Sequence, residues 1–186
     1  DDWVEAFRYD SDDAPPVGAA IPGEILAVAR ACGDDVFDQH GAQGVAVSIF
    51  VEPGGGTALF SASVHPDEAL ADEMLAAYDD RETLACLAGL REAELDDAIV
   101  HDVDVESSVD DLIVPDGFED LVVALRLRTD VSRGDRSIAV FSDLIAFRRY
   151  EYVVVMVFTS AGSAVRQSTR DRVLAEAYQR ALTIPY

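Results

Sequence analysis

The sequence predicts an α+β fold, an antiparallel β-sheet meander with helices packed on one face. Three observations carry this prediction. Segment after segment alternates apolar and polar residues with period two, the signature of half-buried strands. In the second half these segments follow one another with short links, which suits antiparallel pairing. Segments of helical period stand between and after the strands. At 186 residues and 49% hydrophobic, the chain is long enough to bury a proper core in one domain.

Residues 1–20 are acidic, and "SDDAPPVGAA" reads as linker. The expected organisation is a flexible acidic N-terminal segment over 1–20 and a single α+β domain over 21–186. "PGEILAVARAC", 22–32, predicts a short helix, with Pro22 tolerated in its first turn and Gly33 as a stop. "GVAVSIFVE", 44–52, places Val45, Val47, Ile49 and Val51 on one side of a strand. "PGGG" turns the chain, and "TALFSASV", 57–64, completes a hairpin. In "HPDEALADEMLAAYDD", Asp67 and Glu68 sit where a helix N-terminus favours acids. Leu70, Met74 and Tyr78 then share a stripe, with Ala71 and Leu75 beside it. Residues 81–93 continue with helical period, with Cys86 and Leu90 at the edge of the apolar stripe.

The second half is rich in strands. "AIVHDVDVES", 98–107, alternates strictly. "DLVVALRLRTD", 120–130, turns Leu121, Val123, Leu125 and Leu127 to one side and Arg126 and Arg128 to the other. Residues 136–149 and 150–160 are strands with almost no gap, so a tight hairpin is expected around "RRYE". A final helix from about residue 166 points Val173, Leu174, Ala177, Tyr178 and Ala181 inward.

Charge excludes some functions. Asp and Glu number 36 against 14 basic residues, every one an arginine, for a net charge of −22. Such a surface repels nucleic-acid backbones and anionic membranes, so no nucleic acid is expected as partner. The lysine-free, acidic composition fits a GC-rich genome or a salt-adapted organism and assigns no function. The longest apolar run, "VVVMVF", is too short to span a bilayer. A targeting segment is expected to precede "DDWVEAF".

Few residues suggest catalysis. The cysteines, Cys32 and Cys86, form no Cys-x-x-Cys motif. They read as one structural disulfide of an exported domain, as two buried thiols, or as a reactive thiol, the last without basic support at Cys86. A bridge would stabilise by about 4 kcal/mol in the chain-entropy model, before strain. His40, His65 and His101 are isolated and make no metal motif. "HDVDVE", 101–106, reads as a solvated acidic face, "GGG" as a turn and "SAGS" as a loop. With so many acids, close carboxylate pairs carry no information about hydrolysis. No cofactor, metal or catalytic residue is assigned.

The last two long strands are apolar on both sides. Tyr152, Val154 and Met156 share one face, and Phe141 stands on the preceding strand. Either this is core, or it lines an apolar ligand groove in which Arg126 and Arg128 hold an anionic head group. These six are the candidate ligand-binding residues.

Cys32, "TLACLAGL" with Cys86, "DLVVALRLRT", "SDLIAFRRYEYVVVMVF" and the final helix occur in an order that resembles actinobacterial cell-envelope lipoproteins over roughly residues 30–182. Tyr150 stands where that pattern prefers glycine. Such domains are similar to the PsbP-like or Mog1-like α+β sandwich and to extracellular sensor domains of bacterial kinases. The resemblance implies bridged cysteines and a domain outside the membrane, secreted or anchored by a preceding segment. It implies a non-catalytic protein that binds an apolar ligand, such as a lipid, or an envelope partner. A small hydrolase with acids in a sheet–helix cleft and a purely structural interaction module are the alternatives.

Overall fold

The computed structural model describes residues 4–11, 42–52, 56–79, 104–116, 118 and 122–183. Their elements are β1 (Val4–Ser11), β2 (Gly44–Val51), β3 (Thr57–Val64), α1 (Glu68–Tyr78), β4 (Asp104–Asp111), β5 (Val122–Arg133), β6 (Arg136–Arg149), β7 (Tyr152–Ala161) and α2 (Gln167–Leu182). Cys32, Cys86, His40 and His101, and the helices expected over 22–32 and 81–93, lie outside the described residues.

The seven strands form one sheet in the order β1-β2-β3-β7-β6-β5-β4, and every neighbouring pair is antiparallel. It is a pair of meanders. The first three strands run outward-in, the chain crosses to the far edge, and β4 to β7 return to the centre, where β7 zips against β3. β1 lies within residues 1–20, expected as a flexible acidic N-terminal segment, and pairs with β2 as an edge strand, with a register shift between Glu5 and Phe7.

The two described helices lie on opposite faces, which corrects the expectation that the helices all share one. Directly paired residues of antiparallel strands point the same way. Ile145 pairs with Met156 and Phe147 with Val154, and this face is covered by Leu174, Ala181 and Tyr178 of α2. Ala146 pairs with Val155, and that opposite face is covered by Ala71, Met74 and Tyr78 of α1. The physical reason was visible as two-sided hydrophobicity. β6 and β7 are apolar on both faces, and each face buries side chains worth roughly 1.5–3 kcal/mol apiece, so each takes its own cover.

Local chemistry sets the element ends. Asp67 caps α1, its Oδ1 accepting the Leu70 N–H at 2.9 Å. The β5–β6 hairpin closes with Arg133 opposite Arg136, and Gly134 supplies the left-handed φ of +58°. The β6–β7 hairpin closes with Arg149 opposite Tyr152, and there Tyr150 itself takes φ +53°.

Candidate functional site

All six candidate residues share the α2 face of the sheet, but they fall into two groups. Arg126 pairs with Asp143 and Arg128 with Phe141 across β5 and β6. Phe141 in turn faces Ser160 of β7, four residues beyond Met156 and eight beyond Tyr152. That is about 13 and 26 Å along the strand. Phe141 therefore stands with the arginines and not with the tyrosine.

The first group is an ordered strip. Arg126 donates from Nε to Asp143 Oδ1 at 2.6 Å and from Nη2 to Oδ2 at 2.8 Å, a bidentate pair. Arg128 is paired with Asp130, its Nη2 donating to Oδ1 at 2.9 Å. Both guanidiniums lie over the Phe141 ring, 5.4 and 5.8 Å from its centroid. The hydrogen bond to Asp143 raises the Arg126 pKa above its ordinary value, and the bond to Asp130 does the same for Arg128. Arg128 is the outermost member, about half exposed. Asp104, Glu106, Ser108 and Asp110 of β4 extend the strip as exposed residues.

The second group is largely core. Met156 is fully buried and Val154 packs beside it, so α2 fills the space an apolar ligand would need. Tyr152 is half-buried, at the end of the face, opposite Arg149.

The sequence reading missed Asp143 and Arg170. Asp143 is 1% exposed and Arg170 of α2 6%. Arg170 Nη1 lies 3.1 Å from Asp143 Oδ2, an ion pair that lacks hydrogen-bond alignment. Asp143 is thus held by one arginine from β5 and one from α2. The available signal was a lone carboxylate in the apolar run "IAVFSDLIAF", which cannot be buried without a cation.

His65 is the other buried polar residue, at the junction of β3 and α1. Ser63 Oγ directs its proton to the Val153 carbonyl at 3.5 Å and lies 3.0 Å from His65 Nε2. In that arrangement Nε2 donates, and Nδ1 is left as a buried lone pair without partner. Burial lowers the His65 pKa below its ordinary value. Among the described residues no group of three or more His, Cys, Asp or Glu side chains is placed to hold a metal ion.

Among the described residues, fold and site together define an α+β domain with one antiparallel sheet, a helix on each face and a charged strip at one end. No protein-family model matches the chain. No curated protein matches it. Among solved structures, the chain is similar to the extracellular domain of PknH from Mycobacterium tuberculosis, with a TM-score of 0.52 and 10% identity over 98% of this chain and 86% of that one. At that identity the likeness concerns the fold alone, and no finding supports the narrower PsbP-like or Mog1-like assignment.

Proposed function

We propose that this chain is a non-catalytic extracytoplasmic domain, secreted or membrane-anchored through a preceding segment, that recognises an envelope partner through the Arg126–Arg128–Phe141 strip. The reading is supported by the likeness to an extracellular domain across nearly the whole chain. The strip is favoured over an apolar ligand groove because α2 already occupies the Val154–Met156 surface. No helix among the described residues is long and apolar enough to cross a membrane. A disulfide between Cys32 and Cys86 belongs to the same proposal.

Protease treatment of intact cells expressing the full-length protein tests location. Digestion of the domain is expected, and protection until lysis sinks the proposal. A photo-crosslinking residue at position 141 tests recognition. A crosslink to one envelope protein that Arg128→Glu removes is expected, and crosslinking unaffected by Arg128→Glu rejects the strip.

A further inference from the structure

Arg148 and Arg149 are neighbours in β6, so the strand sends them to opposite faces. Arg148 meets α1. Its Nη1 lies 3.1 Å from Glu68 Oε2 and its Nε 2.5 Å from Asp72 Oδ1. Arg149, on the α2 face, meets no carboxylate among the described residues. Its Nη2 donates to the Tyr150 hydroxyl at 2.7 Å, and its guanidinium lies over the Tyr150 ring, 4.0 Å from the centroid. Its Nε is buried without an acceptor. A half-buried guanidinium lacking a carboxylate is out of place in a chain with 36 acids and 14 arginines. An arginine cannot shed its proton to escape that position.

Two further observations fall on the same spot. Tyr150 holds φ +53° in a two-residue turn, a conformation that glycine adopts without strain. The chain keeps a strained tyrosine here, and that tyrosine orients the guanidinium. Directly across the ladder stands half-buried Tyr152, whose hydroxyl takes part in no hydrogen bond among the described residues.

We propose that Arg149, Tyr150 and Tyr152 form a recognition site for the carboxylate of a small organic acid. With Nε buried, the guanidinium presents its end, one N–H from each Nη, which matches the two oxygens of a carboxylate. The two tyrosine rings flank an apolar or aromatic carrier. The carboxylate brings a single charge, and a phosphate dianion is opposed more strongly by the net charge of −22. The site is eight residues from Phe141 along β6, about 26 Å, and stands or falls separately from the partner strip.

Benzoate, acetate and inorganic phosphate are the probes, added to the full chain at constant ionic strength with sodium chloride as control. The readouts are the backbone amide signals of Tyr150 and Glu151 and the Nε–H signal of Arg149. Saturable shifts with benzoate are expected, weaker ones with acetate and none with chloride. Arg149→Lys keeps the charge and loses the fork, and should weaken benzoate about tenfold or more. Tyr150→Gly relieves the backbone and removes the ring. It should melt no lower than wild type and yet bind benzoate more weakly, so it decides the matter even where Arg149→Lys unfolds. Unchanged benzoate binding in Tyr150→Gly leaves the tyrosine a purely structural role and overturns the proposal. So does the absence of a saturable shift in the wild type, or tighter binding of phosphate than of benzoate.

Discussion

Asp143 of β6 and Arg170 of α2 meet at 3.1 Å inside the domain, where neither side chain reaches a tenth exposed. Arg126 takes the remaining sides of the same carboxylate. The C-terminal helix is therefore fixed to the sheet by charge as well as by the apolar contacts of Leu174 and Ala181.

Removing the shared carboxylate should cost more than removing a surface pair. Asp143→Ala strands Arg170 without a partner in the interior, and breaking such a pair costs about 3–5 kcal/mol. Combining it with Arg170→Met should recover much of the loss, because two well-packed apolar groups replace two desolvated charges. Urea denaturation of the two single variants and the double variant reads the coupling directly. Additive losses would show that Asp143 acts through Arg126 alone.

Surface members of the strip should matter little to stability. Arg128→Ala is expected to melt close to wild type, since that guanidinium is half in water. Met156→Ala and Leu174→Ala open cavities in the core and should each cost about 2–5 kcal/mol. Thermal melts of the three proteins separate recognition surface from core.

The β6–β7 turn offers a backbone test. At φ +53° any side chain is strained, and Tyr150→Ala keeps that strain while losing the stack on Arg149. Tyr150→Gly loses the stack but not the ease of the turn. The glycine variant should exceed the alanine variant by about 1 kcal/mol in chemical denaturation. Equal stabilities would mean that the turn carries no strain.

His65 should make the domain weaker in mild acid. Its folded pKa lies below the ordinary value of 6.5 because burial disfavours the charged ring. As pH falls through 6.5, the unfolded chain takes up a proton that the folded chain refuses. Stability is then fully present above that pH and declines down to the folded pKa. His65→Gln should flatten this part of the profile, measured as the difference in urea midpoint between pH 7.5 and 5.5 for the two proteins. A parallel decline in both would assign the effect to carboxylates elsewhere.

Cys32 and Cys86 are proposed to be bridged. Mass spectrometry of denatured, unreduced protein should find no alkylatable thiol, and two labelled cysteines would remove the disulfide.

Much of the fold is legible residue by residue. The alternation Val45, Val47, Ile49, Val51 marks β2, and the stripe Met74–Tyr78 marks the buried side of α1. β6 begins and ends at the residues the pattern indicates, Arg136 and Arg149. The placement of the helices was not legible. A strand apolar on both faces says that two covers exist, and not which helix goes to which. The site was hidden for a related reason. Arg126 and Asp143 are 17 residues apart, and only the ladder between β5 and β6 brings them together. The unlike fates of Arg148 and Arg149 depend on α1 carrying Glu68 and Asp72 to one face alone.

The paired apolar faces of β6 and β7 have a consequence for how the chain finds its alignment. Where one face is wet, sliding a strand by one residue exposes its whole apolar set, and hydrophobicity alone forbids the slip. Here both faces are dry, and a slid β6 would still bury Leu144, Ile145, Ala146 and Phe147. It would also carry Asp143 away from Arg126 and Arg170 to the side of Met74 and Ala71. The single carboxylate in that strand thus acts as an indexing pin, and its two arginines define the notch that accepts it.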